Sequence, residues 1–227
     1  MSDESSERSA RAVAAIARRY QVPAAETEEG KGRVAEYHAA LGRFVDRFAE
    51  VENALPFVLR HYAKLPTATA RALLSGVRVD QMKGLLNRLA EVGLLPTAEW
   101  ADLEPTLQQL GVINGRRNDI LHHGAESVAE GRAFVTNALM AHTEERITSF
   151  TISPEILDDM TADLRKIMIH LLTRHAGRPE MKAQANRDWV ASVLRQPWRY
   201  KQQPSPLKTK GHPKRKVQVD QPRPSEG

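Results

Sequence analysis

The run Gly115-Arg116-Arg117-Asn118-Asp119-Ile120-Leu121-His122-His123-Gly124 is the stretch of this chain whose residue types and spacing best suit chemistry. Arg117 and His122 are separated by four residues, and Asn118 follows the arginine directly. A guanidinium stays charged at any physiological pH, and its planar fork matches the oxygens of a phosphate. An imidazole exchanges its proton near neutrality, so His122 can act as general base or general acid. The Asn118 amide can orient the histidine or a bound hydroxyl by hydrogen bonding. Together these groups suit phosphoryl chemistry.

Each residue also has a plainer use. The bare spacing recurs at Arg33–His38 and Arg165–His170, so spacing alone selects nothing. Arg117 lies on the line of Leu110, Asn114 and Leu121, and could pair with a carboxylate of the first long helix. Glu52, beside Phe48 and Leu55, is the candidate partner, whereas Glu50 is expected to face solvent. A histidine near a helix C-terminus is often only a favourable charge on the helix dipole. His123 is a neighbour that could replace His122 with a longer spacer. Arg116 is expected to be solvated or to touch phosphate.

Other chemistry is poorly represented. There is no Gly-rich phosphate loop and no nucleophile elbow, and the absence of cysteine excludes disulfides and thiolate metal sites. His170 and His175 are five apart; on an α-helix they do not share a face, which makes them poor metal ligands. Neither metal nor cofactor is expected. Trp189 and Trp198 could stack on bases, but packing against the last helix suits them better.

The elements that must position the motif read as helices. Val34, Tyr37, Leu41, Phe44, Phe48, Val51, Leu55, Val58 and Tyr62 recur in steps of three and four, predicting one long helix over 34–62, kinked or restarted near Pro56. A short helix over 67–74 is expected to start at a Thr67 cap after Pro66. Another spans 79–92, with Gly93 and Pro96 beyond it. Thr97 opens the long motif helix, which Gly124 stops. Between Gly131 and Ser153 the pattern turns β-branched, and 134–140 with 147–152 predict a β-hairpin. Ser153-Pro154-Glu155 starts a further helix that buries Ile156, Met160, Leu164, Ile167, Met168 and Leu171 and ends at Gly177. A small helix follows within 187–200.

Of the 227 residues, 41% are apolar and only 5% aromatic, which suits packed helices better than a β-sandwich. The formal charge of +5 is concentrated: from Lys201 onward seven Lys/Arg face two acids, leaving residues 1–200 neutral. Attraction to nucleic acid inferred from charge thus belongs first to that Pro/Lys-rich segment, which is predicted to be disordered. No apolar run reaches membrane-spanning length, no signal-peptide core is present, and Asp3, Glu4 and Glu7 argue against a transit peptide; a cytoplasmic location is predicted.

With its helical frame, Arg117-Asn118-Asp119-Ile120-Leu121-His122 resembles the motif of HEPN-domain proteins, an arginine, usually a polar residue, then a histidine four to six positions on. The resemblance covers roughly 34–172, including the long first helix around Glu50 and Glu52. It implies a mainly α, HEPN-like helical bundle over 32–177 with a small β-hairpin before the last core helix. Outside it lie a flexible arm (1–31), a short helical extension (178–200) and the basic tail (201–227). It also implies a metal-independent endoribonuclease, in defence or stress response. Arg117, Asn118 and His122 would be catalytic, with Glu52, Arg116 and His123 in support. RNA is then the substrate, a homodimer places two motifs across one cleft, and an antitoxin-like protein is a further partner. Members encoded beside a minimal nucleotidyltransferase carry a tyrosine two positions beyond the histidine. Here Gly124 stands there, which puts that route of neutralisation in doubt. A non-catalytic HEPN-like RNA- or protein-binding scaffold, and an adaptor tethered through its tail, remain open alternatives.

Overall fold

The computed structural model describes residues 28–124, 126–129, 132–137, 140–143, 146, 148–177 and 187–201. The flexible arm expected over 1–31 lies outside these residues as far as 27, and so does the disorder expected for the tail beyond Lys201. The described chain is mainly helical. Its elements are α1 (Glu28–Tyr62), α2 (Thr67–Leu74), α3 (Val79–Glu91), α4 (Thr97–His123), β1 (Glu126–Ala129), β2 (Arg132–Thr136), β3 (Ser149–Ile152), α5 (Pro154–His170) and α6 (Arg187–Arg195). Among the described residues, no helix is long and apolar enough to cross a membrane.

Helix α1 carries the predicted stripe into the core. Tyr37, Phe44, Phe48, Val51, Leu55, Val58 and Tyr62 are all buried, chiefly against Leu157, Met160, Leu164 and Ile167 of α5. The helix begins six residues earlier than the pattern suggests and runs as one element through Pro56. A proline removes a single donor, and the apolar face on both sides of it holds the helix together.

The predicted threonine cap is displaced. Pro66 occupies the N-cap of α2 without a side-chain hydrogen bond, and Thr67 is the first helical residue. Its Oγ1 accepts instead from Arg60 Nη1 at 3.1 Å. In α4, Ile120 takes the buried position assigned to Leu121, which is 43% exposed. Ile120 lies seven residues beyond buried Ile113 and so continues its line. Buried Asn114 donates from Nδ2 to both oxygens of Asp80, each at 3.1 Å, tying α4 to α3.

The hairpin is present as β2 paired antiparallel with β3, and β1 extends it to a three-stranded sheet in the order β1-β2-β3. Both hairpin strands are shorter than predicted. Asn137 ends β2 because its side chain takes over the ladder: Nδ2 donates to the Arg146 carbonyl at 3.0 Å, and Oδ1 accepts from the Thr148 amide at 2.7 Å. Ala133, Val135 and Ile152 turn inward.

Helix α5 starts at Ser153 with Pro154 in its first turn, as read from the sequence. Beyond His170 it opens into a π-helical turn, Leu171–His175. Gly177 then turns the chain at φ +62°, where an added Cβ would stand 2.2 Å from His61 Nδ1. A left-handed conformation costs a non-glycine residue about 1–2 kcal/mol, and the His61 ring would also have to move. Gly177→Ala is therefore expected to destabilise the fold by about 2 kcal/mol or more, read as a lowered urea midpoint at unchanged slope.

After α6, the chain returns across the bundle. Buried Asp163 accepts from the Arg199 amide (2.9 Å), the Tyr200 amide (2.9 Å) and Gln109 Nε2 (2.9 Å). Gln109 Nε2 also donates to the Tyr200 carbonyl. Trp198 packs on the core beneath Lys166, whose Nζ is 4.0 Å from the ring centroid, while Trp189 is 45% exposed.

Candidate functional site

The motif occupies the last two turns of α4, which Gly124 ends at φ +68° with its amide bonded to the Ile120 carbonyl. On an α-helix, residues three, four and seven apart share a side. Arg116, Asp119 and His123 thus form one face, and Asn118 and His122 another. Arg117 points between them toward α1, where its guanidinium lies 5.0 Å from the Phe48 ring centroid. Its Nη1 donates to Asn118 Oδ1 at 3.1 Å, which draws the charged fork toward the face that carries exposed His122.

The proposed partnership of Arg117 with Glu52 is not formed. Among the described residues no ion pair joins them, because the Phe48 ring takes the place beneath the guanidinium and Asn118 supplies the acceptor. Glu50 pairs with Arg47 on the surface of α1.

The opposite face is more enclosed. The Arg116 guanidinium stacks 3.8 Å from the Phe150 ring centroid of β3, donates from Nε to Tyr200 Oη at 3.0 Å, and lies 3.7 Å from Asp119. Of the two uses expected for it, solvated or touching phosphate, the first is not found: the side chain is clasped by the fold. Burial lifts the Asp119 carboxyl above its ordinary range, against the pull of Arg116 and His123. His123 is half-buried on this side and His122 is exposed, so the two adjacent histidines are not equivalent; Asn118, on the face of His122, is itself half-buried.

No protein-family model, curated protein or solved structure matches this chain. The local geometry therefore carries the functional argument.

A second polar cluster lies at the far end of α4, and it reverses one expectation. His170 and His175, taken to lie on different faces, have ring centroids 4.8 Å apart. The π-helical turn between them holds more residues per turn than an α-helix, and so brings positions five apart to one side. His170 Nε2 is 3.0 Å from Asp102 Oδ2, and His170 Nδ1 is 2.8 Å from Thr106 Oγ1. His175 Nδ1 is 2.7 Å from Tyr62 Oη, and the Tyr62 hydroxyl also donates to Glu99. Arg174 Nη1 donates to both Asp102 oxygens, Oδ1 at 2.9 Å and Oδ2 at 3.1 Å.

Burial depresses both imidazoles. His175 is pushed down to about 4, by its burial and then by His170; His170 falls for the same first reason, although Asp102 pulls it back. His175 is therefore neutral at physiological pH. Burial would raise the Asp102 carboxyl, but His170 and Arg174 outweigh it and hold it below the usual range. Burial, then Glu99, drives the Tyr62 phenol upward. Sequence reading missed Asp102, Thr106 and Tyr62 here. The first two lie four apart on α4 and could have been paired with a histidine, but a π-turn leaves no signature in a helical pattern.

Proposed function

We propose that the chain is an HEPN-like endoribonuclease that cleaves RNA without a metal in the reaction. The observation that carries this reading is the grouping at the end of α4: an arginine held by Asn118, and half-buried Asn118 on the same face as exposed His122. RNA brings its own nucleophile. A base removes the proton of a 2′-hydroxyl, that oxygen attacks the adjacent phosphorus, and the 5′-oxygen leaves with a proton from an acid. The products are a 2′,3′-cyclic phosphate and a 5′-hydroxyl. His122 supplies the proton transfer, Arg117 stabilises the charge that builds on the phosphate oxygens, and Asn118 orients one of them.

One exposed histidine per motif would have to serve as both acid and base, and a homodimer with facing motifs removes that constraint. Exposed Leu121, one helical turn from Arg117, gives such an interface an apolar anchor. Leu121→Glu is expected to shift the protein toward a monomer in sedimentation and to lower cleavage in parallel. Full activity of a strictly monomeric wild type would remove the composite site from the mechanism.

The deciding experiment incubates the full chain with an end-labelled single-stranded RNA and identifies the new termini. Cyclic-phosphate ends are expected, and a 2′-deoxy substitution should protect the bond it precedes. Binding without cleavage over a range of RNA sequences would favour the non-catalytic scaffold instead.

A further inference from the structure

The cluster of Asp102, His170 and His175 has the geometry of a metal site rather than of a closed hydrogen-bond network. The direction of each proton decides between the two. Glu99 offers only acceptors to Tyr62, so the Tyr62 hydroxyl proton goes to that carboxylate. Tyr62 Oη, 2.7 Å from His175 Nδ1, is then the acceptor of a proton carried on that nitrogen. In a neutral ring the lone pair therefore sits on Nε2. That atom is buried, in a residue only 2% exposed, and has no hydrogen-bond partner. It lies 3.2 Å from Asp102 Oδ2, close but without hydrogen-bond geometry. A lone pair facing a carboxylate oxygen is unfavourable unless a cation stands between them.

His170 can adopt the same arrangement. Thr106 Oγ1 is 2.8 Å from its Nδ1 and can accept a proton there, which frees Nε2 toward Asp102 Oδ2 at 3.0 Å. Both rings then show the orientation typical of metal-ligating histidines, in which one nitrogen donates to an outer oxygen and the other is directed at the ion. The ligand atoms all lie within 4.8 Å of one another. Bonds of about 2.0–2.1 Å around a tetrahedral ion place neighbouring ligand atoms about 3.3 Å apart, close to the two separations at Asp102.

We propose that Asp102 Oδ2, His170 Nε2 and His175 Nε2 are the three protein ligands of a divalent transition-metal site of the zinc class. Two imidazoles and one carboxylate suit zinc or cobalt, whereas magnesium and calcium require mostly oxygen ligands. Three protein ligands leave a fourth position for water, and half-exposed Asp102 gives solvent a way in. Arg174 Nη1 donates to both Asp102 oxygens, at 2.9 Å to Oδ1 and 3.1 Å to Oδ2, and Oδ2 is the one that faces both imidazoles. Asp102 and His122 stand twenty positions apart on α4, about 30 Å at the rise of an α-helix. The site is therefore separate from the motif, and its test does not depend on RNA cleavage.

The test titrates Zn2+ into chelator-treated full-length protein by calorimetry. One zinc per chain is expected, undisturbed by excess Mg2+, with binding lost in His175→Ala and retained in His142→Ala. Tyr62→Phe keeps the ring but removes the acceptor that orients His175, and should weaken zinc by about 10- to 100-fold. Failure of the wild type to bind zinc, or equal affinity in His175→Ala, would overturn the assignment. A readout independent of any variant is the spectrum of the wild-type protein with Co2+. Strong visible absorption from a four-coordinate ion is expected, and the weak spectrum of six-coordinate cobalt would also overturn it.

Discussion

His122→Ala should lower RNA cleavage by about 100- to 10,000-fold, the usual contribution of a positioned acid or base. Its circular dichroism should match that of the wild type, because the side chain is exposed and supports no described packing. Arg117→Ala should lose activity on a similar scale. Since that side chain also covers Phe48, its variant needs a second comparison. Arg117→Lys keeps the charge and much of the covering stem but loses the fork, so it should recover stability while restoring only part of the rate. His123→Ala is expected to have a small effect, because this ring sits half-buried on the Arg116 side. Inactivity of His123→Ala with a normal rate in His122→Ala would transfer the role to the longer spacer. Normal rates in both would end the catalytic assignment.

Asp163→Ala should cost about 3–5 kcal/mol of folding free energy. The substitution leaves three buried or half-buried N–H donors without their acceptor, and each charge-assisted bond of this kind contributes about 1.5–3 kcal/mol before non-additivity is allowed for. Two of the donors are the amides of Arg199 and Tyr200, so the loss should release the segment that follows α6. Chemical denaturation would measure the total. Hydrogen exchange would locate it, with faster exchange at 199–200 than in α1. Asp163→Asn retains one acceptor oxygen and should fall between the two. Unchanged exchange at those amides in Asp163→Ala would show that they are protected by packing alone.

Side chains that follow a simple period were legible in the sequence. The seam of α1, the Ser153-Pro154-Glu155 start of α5, the stop at Gly124 and the β-branched enrichment that marks the hairpin each depend on neighbours within one element, and each is found in the structure. The motif helix was legible for the same reason. What stayed hidden depends on partners far along the chain. Nothing local indicates that Asp163 gathers amides thirty-six and thirty-seven residues away, or that Tyr200 reaches back to Arg116. The pairing expected for Arg117 failed on a similar point. A one-dimensional pattern placed Glu52 on the correct helix but could not show that an aromatic ring would lie beneath the guanidinium. The histidine pair was misread because a period of 3.6 was assumed across a turn that does not keep it.

That turn is, in effect, one surplus residue stored in a helix. Relative to an unbroken α-helix it rotates everything downstream by about 100°, so the bearing on which the chain leaves for Gly177 is set at Leu171–His175. The packed face from Leu157 to Ile167 lies upstream and does not feel the offset. A substitution at His175 removes one side chain from the cluster, whereas deletion of a single residue within 171–174 would restore the ordinary phase. His175 would then follow His170 by four positions, a spacing that an α-helix also places on one side, so the pair would stay together while the bundle beneath kept its register. The cluster thus depends on the match between the spacing of its histidines and the kind of turn that carries them, as much as on their identities.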